Sequence, residues 1–342
     1  MEKILVTGIL GFIGFHSAKK LKERNYDVIG FDNLNDYYDI KWKILRLKKL
    51  QELGIPIFFQ DLKDLDSMKN CLEILRPDKI LHLAAQAGVR YSLTNPDSYM
   101  QSNCLGFYNL LESVKSLKIP VVYASSSSVY GSNTKIPFSE SDPTDSPMSL
   151  YAATKKSNEV FAQSYHENYQ IPLIGLRFFT VYGPYGRPDM AYFSFAEKIL
   201  NNQPITVYSK GMLKRDFTYI DDIVFGILRA LEFPVRCGIF NLGNNTPCSV
   251  NELVAILEKN LQKKAVVIDQ EAPSADVPIT YADIEKSRSV LGYEPKVSLS
   301  DGIHQFVNWY TQSFDHLPNS DEVKKLHQEF SQSNYLQLMN KP

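Results

Sequence analysis

In the stretch SPMSLYAATKKSNE, Tyr151 and Lys155 stand four residues apart, which puts both side chains on one face of any helix formed there. A phenol with an ordinary pKa of about 10 is a poor base at neutral pH. A cation held beside it favours the phenolate and lowers that value. Tyr151 is then able to take the proton of a substrate hydroxyl. A lone Tyr-x-x-x-Lys also describes any solvated helix face, so its weight depends on what precedes it. What precedes it is ASSSSVYG, residues 124–131, following the apolar and β-branched run IPVVY. Short hydroxyl side chains compete with regular structure for backbone hydrogen bonds. Ser125, Ser126, Ser127 and Ser128 are therefore either a turn or the rim of a site at the end of a buried strand.

A second constellation supplies the partner for a proton-abstracting phenol. TGILGFIG carries Gly8, Gly11 and Gly14, with Phe12 and Ile13 between the last two, at the passage from a strand to a helix. Glycines there permit a tight turn, let a pyrophosphate approach the backbone, and leave the N–H groups of a helix N-terminus open to an anion. Spacing alone also fits glycines that merely turn a strand into a helix. The next strand, however, ends in Asp32 followed by Asn33, near the distance at which a carboxylate grips the adenosine ribose. A carboxylate there repels the extra phosphate of NADP, so NAD is the expected cofactor. QDL (Gln60, Asp61, Leu62) and HLAA (His82, Leu83, Ala84, Ala85) end the third and fourth strands on the same edge, where a dinucleotide lies. Asp61 reads equally as a helix N-cap. With a positively charged nicotinamide beside Tyr151, the substrate's carbon-bound hydrogen leaves as hydride while the phenol takes the proton, and Lys155 holds the nicotinamide ribose.

The elements needed to position these groups are legible along the chain. Strands at KILVT, DVIGF, IPIFF, KILHL, VVYAS and IPLIGLRF alternate with helices expected over Phe12–Arg24, Trp42–Leu53, Leu65–Leu75, Pro96–Lys118 and Ser149–Tyr169. Near-continuous apolar strands separated by helices predict an α/β fold, a doubly wound parallel (Rossmann) sheet covered on both faces. Beyond Thr180 come proline- and aromatic-rich loops, short strands near ITVY and RDFTYI, and helices over Asp222–Leu231 and Val250–Leu261. These predict a smaller α/β lobe, partly interleaved with the sheet. The expected organisation is residues 1–178 for the dinucleotide, 179–313 for the lobe, and 314–342 as a polar extension with Val323, Leu326 and Phe330 at helical spacing. Among 342 residues, 37 Lys and Arg against 38 Asp and Glu give a net charge of −1, so no global field draws the chain to nucleic acid or to an anionic membrane. Four cysteines without a CxxC pair disfavour a zinc site and a disulfide framework. With no signal-peptide or membrane-length apolar run, the expected location is cytoplasmic.

Taken together, TGxxGFIG, DNLNDYYD, HLAAQAGVRYS, ASSSSVYG, YxxxK, LRFFTVYGPYGRPDMA and RDFTYIDD, spread from Lys3 to Tyr310, resemble the extended short-chain dehydrogenase/reductase family. Within it they are similar to the nucleotide-sugar epimerases and dehydratases, and most of all to the UDP-glucuronate 4-epimerases. The resemblance implies that Ser126 and Tyr151 contact the sugar 4-hydroxyl, that Lys155 orients the cofactor, and that Asp32 and Asn33 bind its adenosine end. It implies a seven-stranded sheet and a homodimer formed through a four-helix bundle, two helices per subunit, here Pro96–Lys118 and Ser149–Tyr169. On the substrate side it implies Arg187 near a sugar carboxylate, with Thr180 shortly before it. Arg215 would hold the nucleotide diphosphate, and Arg90 either the diphosphate or the sugar. Each of these arginines also reads as an ordinary solvated side chain. Tyr182, Tyr185, Tyr192 and Phe193 either stack on a base or wall off the lobe.

Dehydratases of this family carry Asp-Glu directly after the position of Ser126, because eliminating water needs a proton acceptor and a donor beside the sugar. Here Ser127 and Ser128 stand there instead. Hydroxyls cannot do that work, but they can bind a uronate without repelling it, unless they serve only the turn. The expected reaction is therefore interconversion of UDP-glucuronate and UDP-galacturonate at C4. The alternatives are another UDP-sugar such as UDP-N-acetylglucosamine or its uronate, a dehydratase or decarboxylase, or a non-catalytic NAD sensor. The chain departs from its relatives at Ile9-Leu10, where they carry small residues, and at Ala275, where they carry Gly.

Overall fold

The computed structural model describes residues 1–233, 236–271, 277–313 and 317–332; Ala275 lies outside them. In chain order the first half contains β1 (Lys3–Thr7), α1 (Phe12–Glu23), β2 (Asp27–Asp32), α2 (Lys41–Glu52), β3 (Ile57–Phe59), α3 (Leu65–Leu75), β4 (Lys79–His82), α4 (Tyr91–Thr94), α5 (Pro96–Tyr99), α6 (Gly106–Val114), β5 (Val121–Ser126), α7 (Leu150–Tyr169) and β6 (Leu173–Phe178). There follow β7 (Thr180–Tyr182), α8 (Ala191–Leu200), β8 (Ile205–Tyr208), β9 (Lys214–Tyr219), α9 (Ile220–Glu232), β10 (Cys237–Leu242), β11 (Pro247–Ser249) and α10 (Val250–Leu261). The last elements are β12 (Val267–Gln270), β13 (Ile279–Thr280), α11 (Glu285–Leu291), α12 (Leu299–Ser313) and α13 (Ser320–Gln332).

Seven parallel strands form one sheet in the order β10-β6-β5-β4-β1-β2-β3. Because alternate residues of a strand face opposite sides, Ile4 and Val6 pack into one core layer and Leu5 into the other, all fully buried. The order reverses between β1 and β4, and that switch point is where open parallel sheets bind ligands. The chain leaves the sheet after β6 and returns to it with β10, which pairs along β6 from Cys237 to Leu242. The helix that precedes this return, α9, packs on α1. The segment after residue 178 is thus interleaved with the sheet, whereas β7, β9, β11 and β13 form a separate small sheet and β8 pairs with β12.

The helix expected over Pro96–Lys118 is interrupted. Met100–Leu105 adopts a π-helical turn between α5 and α6. Asn103 sits in that turn, where its amide donates to the Gln86 carbonyl and to Thr154 Oγ1, and its Oδ1 accepts from Gln86 N–H. Three tertiary hydrogen bonds on one side chain outweigh regular winding here. They tie the end of β4 to α7. The aromatic residues after Thr180 mostly form the wall between the lobes: Tyr182, Tyr192 and Phe193 are fully buried, and Tyr185 packs between Phe15 and Trp309. At the C-terminal end α13 rests on α2, with Lys48 and Glu322 paired at 2.5 Å.

Candidate active site

The turn after β1 is built for a backbone approach. Gly8 has φ +69°, and a Cβ added there would lie 2.6 Å from Ala84 N at the end of β4; only glycine fits that position. The Gly8 carbonyl accepts from Gly11 N–H at 2.9 Å. α1 then starts at Gly11 with no side-chain cap and no acidic residue in its first turn, so its free N–H groups and dipole remain available to an anion. Ile9 and Leu10 are fully buried in the core under the loop, turned away from the cleft. Large residues at these positions therefore do not crowd it.

An open cleft runs along the carboxyl edge of the sheet, where open parallel sheets bind their ligands. At its cofactor-loop end it is lined by Gly8, Gly11, Phe12, Ile13 and Gly14, and beyond them by Asp32, Asn33, Asp61 and Leu62. Leu83, Ala84 and Ala85 form its floor, and Ser126, Tyr151, Lys155 and Arg187 stand at the far end. Asp32 accepts from Leu10 N–H at 2.9 Å and from Leu34 N–H at 2.8 Å, so its carboxylate is fixed where β2 opens into the cleft. Asn33 donates to Asp61 at 3.1 Å. Asp61 caps no helix: the cap of α3 is Asp64, which accepts from Ser67 N–H.

Tyr151 and Lys155 are presented by α7, capped at Ser149 through a hydrogen bond from Ala152 N–H. Farther along that helix, Glu159 accepts two hydrogen bonds at 2.8 Å from Arg177 on β6 and one at 2.6 Å from Ser125 on β5. A buried bidentate pair of this kind fixes geometry more than it adds stability. It seats α7 against the strand end that carries Ser126. Lys155 is buried and donates to the Ala124 carbonyl at 2.8 Å. Burial pulls its ammonium down to about 8, with Cys104 and Glu159 opposing.

The direction of the Tyr151 shift differs from the sequence expectation. Desolvation pushes the phenol above its ordinary value, while the Ser126 hydrogen bond and the Arg187 charge pull it back. Lys155 does not supply the expected lowering, because its ammonium is directed to the Ala124 carbonyl. The group next to the phenol is the Ser126 hydroxyl, which also accepts from Ser128 N–H at 3.2 Å.

Several sequence-assigned residues lie elsewhere. Ser127 and Ser128 form the first turn of a short 3₁₀ segment, Ser127–Tyr130, and neither is among the residues lining the cleft; nor is Thr180, at the start of β7. Arg90 stacks on Tyr208 of β8, 4.6 Å from the ring centre. Arg215 on β9 donates to the carbonyls of Lys214 and Val277. Arg187 reaches the cleft but forms a bidentate pair with Asp189, at 3.0 and 2.5 Å. Tyr37, from the loop after β2, donates to the same carboxylate at 3.1 Å and lies 5.8 Å from the Arg187 guanidinium. Asp189 and Tyr37 were not singled out in the sequence, although both fall inside quoted motifs, DNLNDYYD and YGRPDM. Among the described residues no group of His, Cys, Asp and Glu is placed to hold a metal ion.

Beneath the cleft, His82 on β4 is buried and bonded through Nδ1 to Thr7 Oγ1 at 2.8 Å. Burial, with Lys155 adding to it, lowers the imidazole to about 3. The unfolded chain, with an ordinary histidine, binds more protons between about 3 and 6.5, so stability rises with pH across that window and is flat above it. Urea unfolding from pH 7.5 to 4.5 is expected to show a loss on the order of a few kcal/mol from this group. Burial lowers His16 on α1 to about 3 as well, so His82→Asn should remove about half of the combined slope; an unchanged slope would assign acid sensitivity elsewhere.

The model of the NAD dependent epimerase/dehydratase family matches residues 4–243, a span holding the cofactor loop, Ser126, Tyr151, Lys155 and Arg187. The chain is 48% identical over 326 residues to UDP-glucuronate 4-epimerase 4 of Arabidopsis thaliana, covering 90% of this chain and 75% of that protein. Its structure is similar to UDP-glucuronic acid 4-epimerase of Bacillus cereus solved with UDP-glucuronic acid and NAD, with TM-score 0.84, 35% identity, and 91% and 99% of the two chains covered. It is as similar to UDP-glucose 4-epimerase of Thermotoga maritima solved with UDP-glucose, with TM-score 0.84, 29% identity, and the same coverage. A glycine loop shaped for a backbone approach, a fixed acid at the end of β2 and a Ser-Tyr-Lys set at the far end of one cleft agree with that match: the chain belongs to the NAD dependent epimerase/dehydratase family.

Proposed function

We propose that this protein is a UDP-glucuronate 4-epimerase, converting UDP-glucuronate to UDP-galacturonate with bound NAD. The observation that carries the reading is the Tyr151 phenol at the far end of the cleft, with the Ser126 hydroxyl beside it. Asp32 and Asn33 hold the adenosine end of the cofactor, the free N–H groups of α1 its pyrophosphate, and Lys155 its nicotinamide ribose. NAD, when bound, accepts the hydride from C4 and gives it back.

The residues of the chain handle the proton and the position of the sugar. Ser126 and Tyr151 hold the 4-hydroxyl between them, and Tyr151 removes its proton as the C4–H bond breaks. The 4-keto sugar then turns in the pocket, and Tyr151 returns the proton to the oxygen when hydride arrives on the opposite face. Elimination requires an acid–base pair near C5 and C6; Ser127 and Ser128 stand where dehydratases carry Asp-Glu, which leaves inversion as the outcome. Arg187 exchanges its contact with Asp189 for the anionic group of the substrate. A charge-assisted bidentate contact of this kind favours a uronate over a neutral sugar.

The chain works as a homodimer in the cytoplasm, supplying galacturonate units for polysaccharide synthesis. Supporting this, all four cysteines are free thiols, no described helix is long and apolar enough to cross a membrane, and Met100, Tyr108, Val160 and Tyr169 expose apolar surface on the neighbouring π turn, α6 and α7. The test is purified protein mixed with UDP-glucuronate alone, without added cofactor. Formation of UDP-galacturonate is expected, from a species sedimenting at twice the chain mass of 39.0 kDa. A dehydrated or decarboxylated main product, or turnover of UDP-glucose but not UDP-glucuronate, would sink the reading.

A further inference from the structure

Three consecutive carbonyls of the loop between β7 and α8 are taken up by side chains from the cofactor half of the molecule. His16 on α1 donates from Nε2 to the Pro184 carbonyl at 2.8 Å. Arg46 on α2 donates from Nε to the Tyr185 carbonyl at 3.0 Å and from Nη2 to the Gly186 carbonyl at 2.8 Å. The remaining nitrogen, Nη1, donates to the Leu10 carbonyl in the glycine loop at 2.8 Å and to the Tyr38 hydroxyl at 2.7 Å. Arg46 is fully buried, and its partners are three carbonyls and a phenol, none of them a carboxylate. Enclosing a guanidinium without a counter-charge is costly. An apolar residue would fill the same space more cheaply if stability alone were at stake.

The positions of the partners indicate what the guanidinium accomplishes. Leu10, which it holds by the carbonyl, donates its own N–H to Asp32. Gly186, which it holds on the other side, immediately precedes Arg187. Tyr185 lies between, at φ +55°, a conformation a non-glycine residue keeps only where its surroundings impose it. A continuous path of hydrogen bonds and peptide links thus runs through Arg46 from the carboxylate at the adenosine end to the loop that carries the guanidinium at the sugar end, behind the direct Tyr37–Asp189 contact.

We propose that Arg46 is a positioning residue that ties the cofactor loop to the loop bearing Arg187, so that Arg187 meets the anionic group of the nucleotide sugar in the correct orientation only while Arg46 is in place. The proposal rests on the nucleotide-sugar reading given above. Fixing a charged contact from behind through a rigid supporting shell is how sites keep sub-ångström geometry. Arg46 itself is fully buried and is not among the residues lining the cleft.

The experiment is a double-mutant cycle on the holoenzyme with Arg46→Met, Arg187→Ala and the combination, measuring kcat and KM for UDP-glucuronate, bound dinucleotide and melting temperature. Arg46→Met is expected to raise KM about tenfold or more with kcat within about threefold, and to add less than about twofold on the Arg187→Ala background. Arg46→Lys should recover part of the loss, since an ammonium reaches only some of the four oxygens. If the two KM effects multiply, or Arg46→Met lowers the melting temperature with KM unchanged, the proposal is wrong. Should Arg46→Met fail to fold, Arg46→Lys enters the same cycle. Should wild-type protein not turn over UDP-glucuronate, the functional reading fails separately. The tie is then read from amide hydrogen exchange of residues 183–190, which must speed up in Arg46→Lys; unchanged protection overturns it.

Discussion

Tyr151→Phe is expected to lower turnover of UDP-glucuronate by about 10³-fold, within the range of a lost general base, while the purified protein still carries its dinucleotide. The substitution removes one oxygen and leaves the ring, which packs edge-on against Tyr99 at 6.0 Å. Tyr151 is one of many residues assigned to the cofactor, with the glycine loop, Asp32, Asn33 and Lys155 among the others, so the loss should appear in kcat with little change in bound NAD. A pH profile sharpens the test. Desolvation raises the Tyr151 phenol and the Ser126 hydrogen bond lowers it. Activity should therefore rise with pH on the limb where the phenol loses its proton. Ser126→Ala removes a lowering influence, so that limb should move to higher pH. Near-normal turnover by Tyr151→Phe, or a limb that moves downward in Ser126→Ala, would show that another group takes the proton.

Gly14→Ala is expected to yield protein without bound dinucleotide. A Cβ at this position would lie 2.2 Å from the Gly8 carbonyl oxygen and 2.9 Å from Ile9 Cα. Both are backbone atoms of the loop proposed to carry the pyrophosphate, so neither gives way as a side chain would. Displacing the Gly8 carbonyl breaks its hydrogen bond from Gly11 N–H, and with it the turn that starts α1. Overpacking against backbone costs roughly 1–3 kcal/mol, and the loss of bound cofactor removes the further stabilisation that a tight ligand gives. The measurements are nucleotide released on acid precipitation and the melting temperature with and without added NAD. Retention of stoichiometric NAD by Gly14→Ala would mean the helix and loop are not packed as the structure has them.

Much of this site was readable along the chain because its parts are local. Gly8, Gly11 and Gly14 fall within one turn, Tyr151 and Lys155 within one helical repeat, and Asp32 at the end of one strand. The alternation of apolar strands with helices was enough to predict the parallel sheet, since each strand buries both faces and each crossover needs a helix. The resemblance to nucleotide-sugar epimerases added the identity of the sugar, which no spacing encodes.

Other features came from contacts between distant segments. Asp189 occupies Arg187 and Tyr37 joins them from the far side of the cleft, a pairing across 152 residues that leaves no periodic trace. β10 completes the large sheet after a long excursion, and a single buried asparagine, Asn103, turns an expected continuous helix into a π turn by recruiting partners from β4 and α7. Lys155 exerts no lowering on the Tyr151 phenol for the same reason: i, i+4 spacing brings a lysine near a tyrosine, but the Ala124 carbonyl, contributed by another element, takes its ammonium. Arg46 reads as one more basic residue in the run KWKILRLKK, and only folding surrounds it with carbonyls. Periodicity reports which way a side chain faces. What it finds there depends on long-range packing and desolvation, and in this protein those set the partners and charge states of the groups around the reacting carbon.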